Sequence, residues 1–156
     1  MRVGMGFDVH PFSDDPSRPC VLGGVRFDGS RGLAGHSDAD VVAHAVAEAL
    51  LGAAGLGDLG EHFSDTDERW RDADSVDLLV AVAAMLRDAG WQPVNVDCSV
   101  VLEAPKLAPA RDEMRARLTD AVGAPVSVKA RRGEGLGAIG RGEGVACFAV
   151  ALVEPT

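Results

Sequence analysis

The chain has 156 residues, 47% of them hydrophobic, which is enough to bury a core without disulfides or structural zinc. Its net charge of -9 and its aromatic content of 4% argue against nucleic-acid binding, which needs a basic surface or stacking aromatic side chains. Cys20, Cys98 and Cys147 form no C-x-x-C pair and predict reduced core thiols. No apolar run approaches the roughly 20 residues of a membrane span, so we predict a cytoplasmic protein that does not bind membranes.

The first half of the chain predicts strands followed by a helix. Arg2 to His10 predicts a strand, and Val21 to Phe27 predicts a short strand or hairpin. Apolar residues recur at helical spacing from Asp38 to about Ala54, and Ser37 stands where an N-cap is expected. The Gly- and Asp-rich stretch 55–74 predicts a loop.

The second half alternates helices and strands. A helix is predicted from Ser75 to Ala89, ending at Gly90, with its inward residues at Val76, Leu79, Val80, Ala83 and Leu86. Period-two alternation predicts a strand from Val94 to Leu102. A helix over 108–122 and strands over 126–130 and 145–153 follow, the two strands separated by a glycine-rich loop. This order predicts a two-layer α/β domain of the α+β type, with a mixed sheet and helices on one face, in a single domain over residues 1–156.

Three residues form a candidate metal site. Asp8 and His10 are two apart on a predicted strand, so their side chains leave the same face. His44 lies opposite the apolar stripe of its predicted helix. Two imidazoles and one carboxylate suit zinc and leave a position for water or substrate. The alternative is a solvent-exposed Asp and His without metal, and the spacing also allows Asp38 or Asp40 as a ligand.

His36 precedes the predicted helix start, where its side chain could bind phosphate together with the helix amides. The alternative is a loop histidine that only forms a structural hydrogen bond. His62 has no supporting pattern and is predicted to be a surface loop residue.

Three glycines, Gly135, Gly137 and Gly140, match the G-x-G-x-x-G pattern of dinucleotide-binding proteins. A strand rather than a helix is predicted after them, so we reject dinucleotide binding. Nearby basic residues instead suggest an anion-binding loop, with a plain glycine hairpin as the alternative. These basic residues are Lys129, Arg131, Arg132 and Arg141.

The motifs GFDVHPF, GHSDADVVAHAVAEALLGAAGLGDLG, FSDTD, EAPK and GRGEGVA occur in this order along nearly the whole chain. Together they resemble the 2-C-methyl-D-erythritol 2,4-cyclodiphosphate synthase family of non-mevalonate isoprenoid biosynthesis. The resemblance implies a homotrimer with active sites between neighbouring subunits and zinc on Asp8, His10 and His44. It also implies a second divalent cation, magnesium or manganese, near Glu134. In the implied reaction, the substrate's 2-phosphate attacks the β-phosphate of its cytidine diphosphate group and expels CMP.

The resemblance also implies roles for further residues. His36 and Arg132 fall at catalytic positions, and Ser37 would contact phosphate. The methylerythritol pocket would be formed by Asp58, Leu59, Gly60, Phe63, Ser64, Asp65, Thr66 and Asp67. Cytidine and its phosphates would bind to Leu102, Glu103, Ala104, Pro105, Lys106, Leu107 and Ala108 of the adjacent subunit. The remaining substrate contacts would be Arg131, Gly133, Ala138 and Arg141.

The chain departs from the family pattern in one loop. Arg131, Arg132 and Gly133 stand where the family usually has a threonine-rich run before the glutamate, and Arg132 takes the position of a hydroxyl side chain. Ala138 stands where an aromatic residue is frequent. Two alternative functions follow: a metal-dependent phosphohydrolase acting on a nucleotide-linked diphosphate, and a catalytically impaired homologue that binds cytidine nucleotides or isoprenoid diphosphates.

Overall fold

The computed structural model describes residues 1–156. Its strands and helices follow one another along the chain without long irregular segments. They are β1 (Arg2–Pro11), β2 (Val21–Leu22), β3 (Val25–Arg26), α1 (Val41–Ala54), α2 (Leu59–His62), α3 (Ser75–Asp88), β4 (Trp91–Val101), α4 (Arg111–Val122), β5 (Val126–Arg131), α5 (Gly137–Gly140) and β6 (Gly144–Pro155). Short 3-10 turns lie at Glu68–Trp70 and Ala108–Ala110.

The main sheet has four strands in the order β1-β6-β4-β5. The pairs β1/β6 and β6/β4 are antiparallel, whereas β4/β5 is parallel, so the sheet is mixed. β2 and β3 form a separate two-stranded hairpin. The predicted mixed sheet and helices are confirmed.

The helices pack on one face of the sheet, and 36 buried residues form one hydrophobic cluster between them. The predicted alternation in β4 is confirmed, because Val96, Cys98 and Val100 are fully or almost fully buried. All three cysteines are free and buried, as predicted. None of the helices combines the length and the apolar character needed to cross a bilayer.

The prediction that Ser37 caps α1 is wrong, because the N-cap is Asp40. Its carboxylate accepts hydrogen bonds from Val42 N (3.0 Å) and Ala43 N (3.1 Å) in the first turn. It also accepts from Gly23 N (2.8 Å) and Gly24 N (2.6 Å) in the β2–β3 turn. Burial and the nearby Asp38 charge raise the pKa of Asp40 to about 6, against the lowering effect of these donors. Asp40 therefore joins α1 to the hairpin.

The inner face of β1 has two glycines, followed by the two candidate metal ligands of this strand. Gly4 and Gly6 are buried beneath α1, and Asp8 and His10 continue the same face at period two. A Cβ built on Gly6 would lie 2.0 Å from Ala45 O, and one on Gly4 would lie 2.0 Å from Ala49 O. The absence of these side chains lets the backbone of α1 lie directly on the strand.

Several predicted details need correction. The stretch 55–74 is not only loop, since α2 and a 3-10 turn lie within it. His62 lies in α2, where its ring donates to Leu56 O at 2.7 Å. In α3, Val80 is 45% exposed, whereas Leu78 and Val82 are buried in its place. The helix predicted from Ala108 begins as a 3-10 turn and becomes an α-helix at Arg111.

The face of the sheet opposite the helices exposes large apolar side chains. They come from the outer positions of β1 and from the paired strand β6, where the Phe7 and Phe148 rings are 4.9 Å apart. They are Val3, Met5, Phe7, Val9, Phe148 and Val150. A contiguous apolar surface of this kind is typical of a contact with another protein surface.

Candidate active site

Asp8, His10 and His44 bring three metal-ligating atoms together, as the spacing predicted. Asp8 Oδ2 lies 3.0 Å from His10 Nε2 and 3.0 Å from His44 Nδ1. The two ring nitrogens are 3.3 Å apart. β1 supplies the first two side chains and the first turn of α1 supplies the third.

The other nitrogen of each ring has its own hydrogen-bond partner. His10 Nδ1 donates to Ala34 O at 2.8 Å, which leaves its Nε2 directed at Asp8. His44 Nε2 lies 2.8 Å from Ser75 Oγ and 3.2 Å from Ser37 Oγ. The orientation of each ring is therefore fixed by a hydrogen bond to the nitrogen that faces away from the other ligands, as in most protein metal sites.

The charges of the three groups depend on one another. Burial raises the pKa of Asp8, but hydrogen bonds and charge interactions with His10 and His44 lower it by more, well below its ordinary value. Burial lowers the pKa of His10, but the Asp8 carboxylate raises it by more, so the result lies above the ordinary value. A carboxylate oxygen and two ring nitrogens this close need a proton or a cation between them. The donor set therefore fits a divalent metal such as zinc.

The triad lines a cavity of about 340 Å³. His36 lies on its wall, with its Nε2 donating to Asp67 O at 2.9 Å. The first amides of α1 bond to Asp40, so His36 does not share them with a bound anion as predicted. Other predicted residues in this cavity are Ser37, Leu59, Gly60, Phe63 and Asp65.

A second cavity of about 240 Å³ lies between the EAPK segment and the end of β5. It contains the predicted residues Leu102, Glu103, Pro105, Lys106, Leu107, Ala108, Arg131 and Arg132. Glu103 accepts a hydrogen bond from Gly133 N at 2.7 Å, which ties the glycine-rich loop to this cavity. Ala104 lines an adjoining space with Glu103 and Pro105.

The second cavity is lined by most of the Lys and Arg side chains that form no ion pair in this protein. Of the 15 Lys and Arg residues, nine form ion pairs with carboxylates. Four of the other six line this cavity: Lys106, Arg111, Arg131 and Arg132. Arg111 Nε is buried without a hydrogen-bond partner. A buried, unpaired donor among three other cations, with Glu103 as the only acidic lining residue, is an environment that favours an anion.

Other predicted site residues line neither of these two cavities, and several have structural partners. Asp58 caps α2, Asp67 caps the 3-10 turn at Glu68, and Ser64 Oγ lies 2.8 Å from Thr66 Oγ1. Arg141 pairs with Glu143 at 2.6 Å. The remaining three, Gly133, Glu134 and Ala138, belong to the glycine-rich loop, where Glu134 has a positive φ of 54°. Their functional roles stay predictions.

The spacing also allows Asp38 or Asp40 as a metal ligand, but neither belongs to the metal-ligating cluster. Asp40 is fully buried beneath the hairpin. The Asp38 carboxylate accepts from Ser75 N at 3.1 Å and from Asp40 N at 3.1 Å. Both carboxylates therefore have partners within the protein, and Asp38 also accepts from the Ser75 hydroxyl.

Both cavities also have lining residues that the sequence pattern does not predict. Glu48, Trp70 and Leu78 line the metal cavity, and Glu48 accepts from Leu59 N at 2.8 Å. Glu48 lies four residues after His44, so helical spacing could have indicated it. Arg111 lines the cationic cavity, and no local sequence signal connects it with Arg131.

A larger cavity of about 390 Å³ is formed by the loop residues 13–20 and 26–32 and contains no predicted site residue. Its three arginines already have acidic partners. Arg18 pairs with Asp72, Arg26 with Asp28 and Arg31 with Asp14.

The sequence model of the YgbB family matches residues 1–154. The chain belongs to the YgbB family. A relative from Salinibacter ruber named 2-C-methyl-D-erythritol 2,4-cyclodiphosphate synthase is 55% identical over 157 residues, which cover 99% of each chain. This YgbB chain and that relative therefore match along their whole lengths.

Solved structures show the same fold. The bifunctional IspDF from Campylobacter jejuni matches with a TM-score of 0.93 and 38% identity, over 99% of this YgbB chain but only 42% of the longer one. A structure described as a CDP complex of IspF from Plasmodium falciparum matches with a TM-score of 0.85 and 28% identity, over 99% and 96% of the two chains.

Proposed function

We propose that this chain is a 2-C-methyl-D-erythritol 2,4-cyclodiphosphate synthase, a lyase of isoprenoid biosynthesis. It converts 4-diphosphocytidyl-2-C-methyl-D-erythritol 2-phosphate to the cyclic 2,4-diphosphate and releases CMP. The observation that carries the proposal is the convergence of Asp8, His10 and His44 in a cavity that also contains Leu59 and Gly60. The full-length relative of that name supports it.

The proposed reaction needs binding and orientation more than a protein nucleophile. A bond forms between an oxygen of the 2-phosphate and the β-phosphorus, and the bond from that phosphorus to the CMP oxygen breaks. Both reacting groups belong to the substrate, so catalysis requires their alignment and the neutralisation of their negative charge. The three cysteines are buried in the core, away from such a role.

Asp8, His10 and His44 would hold zinc, and a second cation, magnesium or manganese, would accompany the phosphates near Glu134. When bound, such ions supply charge neutralisation and polarise phosphoryl oxygens. The chain itself holds the ring nitrogens in place through Ala34 and the serine hydroxyls. Of the predicted catalytic pair, His36 lines the metal cavity and Arg132 lines the cationic one.

The cationic cavity would bind the cytidine nucleotide. Its four unpaired cations suit a diphosphate, and a protein of net charge -9 has few other places for such an anion. The related structure that is described as a CDP complex supports this class of ligand. Arg131 and Arg132 would supply permanent charge where the family usually offers hydroxyl groups, and Arg111 would add to it.

We further propose a homotrimer of single-domain subunits. The metal cavity and the cationic cavity have no lining residue in common, and a homotrimer would bring the cationic cavity of one subunit to the metal cavity of its neighbour. The exposed apolar face of β1 and β6 is a surface that a neighbouring subunit could cover. The single hydrophobic cluster supports one domain over residues 1–156.

The proposal is tested by incubating the purified protein and zinc and magnesium with the proposed substrate and identifying the products by phosphorus NMR. Cyclic diphosphate with CMP is expected, and His44→Ala should form neither. CMP together with the open 2,4-bisphosphate, in which the two phosphates are not joined, would instead show a phosphohydrolase. Binding of CMP without turnover would show an impaired homologue, and sedimentation equilibrium on the same sample tests the trimer.

A further inference from the structure

We infer that Ser75, oriented by Asp38, fixes the ring of His44 so that its Nδ1 is the metal-binding atom. The inference rests on the metal site of the proposed function and concerns two residues outside the three ligands. Ser75 begins α3, whereas His44 belongs to α1 and Asp38 to the loop before it. The three residues join two helices behind the metal site.

The direction of each hydrogen bond follows from the partners of Asp38. Its carboxylate accepts from Ser75 N at 3.1 Å and from Asp40 N at 3.1 Å, so it acts as an acceptor. Ser75 Oγ also donates to Asp38 Oδ1. A serine hydroxyl has one hydrogen, so Ser75 has only lone pairs left for its other neighbours.

His44 Nε2 is one of those neighbours, at 2.8 Å from Ser75 Oγ. Because the serine can only accept there, the ring must donate, and its proton lies on Nε2. Nδ1 then carries the lone pair and faces Asp8 Oδ2 and His10 Nε2 at 3.0 and 3.3 Å. The Asp38–Ser75 pair thus selects the ring form that can bind a metal through Nδ1.

Ser37 completes the group without changing this assignment. Its Oγ accepts from Ala39 N at 3.2 Å and lies 3.3 Å from Ser75 Oγ, to which it can donate. Ser75 is only 1% exposed, so water does not compete for its lone pairs. Ser37 Oγ also lies 3.2 Å from His44 Nε2. A Ser37 hydrogen directed there would leave Ser75 Oγ and His44 Nε2 facing each other with lone pairs at 2.8 Å, so the Ser37 hydrogen is assigned to Ser75.

Loss of the Ser75 hydroxyl would allow the other ring form. With its proton on Nδ1, His44 would donate to Asp8 Oδ2, and both atoms would be lost to the metal. Metal binding would then have to displace this hydrogen bond. Ser75 is therefore a positioning residue whose removal weakens metal binding without altering a ligand.

The first test measures zinc affinity of the full-length protein by competition with a chelator. Ser75→Ala should weaken zinc binding by about 10- to 100-fold, the usual effect of losing a group behind a ligand. Ser75→Thr, which keeps the hydroxyl, should recover most of the affinity. Ser99→Ala is the matched control, because Ser99 lies on β4 away from the site and should bind zinc like the wild type.

The second test observes the ring nitrogens of His44 directly. In the zinc-loaded wild type with 15N-labelled histidine, NMR should show His44 bound through Nδ1, with a slowly exchanging proton on Nε2. That proton should exchange faster in Ser75→Ala. Binding of His44 through Nε2, or unchanged zinc affinity in folded Ser75→Ala, would overturn the inference. Failure of the wild type to bind zinc would instead overturn the proposed metal site itself.

Discussion

Replacing Asp40 by alanine tests how the metal-bearing helix is anchored. The substitution removes the N-cap of α1, which costs about 0.5–2 kcal/mol. It also leaves Gly23 N and Gly24 N without their acceptor, at about 1–3 kcal/mol each if they stay buried. Relative to the wild type with Asp40 uncharged, the total loss of stability is therefore about 2.5–8 kcal/mol.

Ionisation of Asp40 offsets part of this loss in a pH-dependent way. Its pKa rises from an ordinary 3.8 to about 6 on folding, so the folded state holds the proton more tightly than the unfolded state. The folded wild type is therefore most stable at pH values below the ordinary pKa of 3.8. Its free energy of unfolding falls by about 3 kcal/mol as pH rises through about 6. The alanine variant lacks this term.

The two effects together predict a stability difference that narrows by about 3 kcal/mol between about pH 4 and about pH 7. Urea unfolding of the metal-free wild type and Asp40→Ala at one protein concentration would measure it, since assembly makes stability depend on concentration. A constant difference, or one that widens with rising pH, would refute the reasoning.

Three further predictions concern the two cavities. Lys106→Ala should weaken CMP binding by about tenfold and leave zinc affinity unchanged, because Lys106 lines only the cationic cavity; calorimetry with each ligand checks this, and equal losses would contradict it. Arg132→Thr should lower turnover by about tenfold and reduce the salt dependence of substrate affinity; a rise in turnover would show that Arg132 does not replace the family's hydroxyl group. Zinc affinity should fall by about tenfold per pH unit below the raised pKa of His10, because a proton and the metal compete for Nε2. Zinc titrations between about pH 8 and about pH 5 check this, and a zinc affinity that does not change with pH would contradict it.

The sequence predicted the metal triad well because two short-range periods determine it. Side chains two apart on a strand share a face, which places Asp8 beside His10. Helical spacing leaves His44 and Glu48 as the polar side chains of an otherwise largely buried α1. Once the apolar pattern indicates a strand and a helix, the faces on which these side chains lie follow directly.

Other features depend on contacts that no local pattern encodes. Ser37 and Asp40 are both good N-cap residues, and the choice between them comes from the β2–β3 turn, whose amides bond to Asp40. In α3, apolar residues lie on more than one side, so the sequence did not determine which of Leu78 and Val80 faces inward. Arg111 joins Arg131 and Arg132 only when α4 packs beside β5.

Gly4 and Gly6 have no functional groups, yet they influence metal affinity because they set how closely α1 lies on β1. A methyl group at Gly6 would meet Ala45 O at 2.0 Å, so α1 would have to lift by at least about 1 Å to reach a tolerable contact. His44 lies one residue before Ala45 and would be carried away from Asp8 and His10, whereas ligand bonds tolerate changes of only about 0.2 Å. The spacing between α1 and β1 therefore determines the distances between the three ligands. A larger residue at Gly6 would weaken metal binding although all three ligand residues are unchanged.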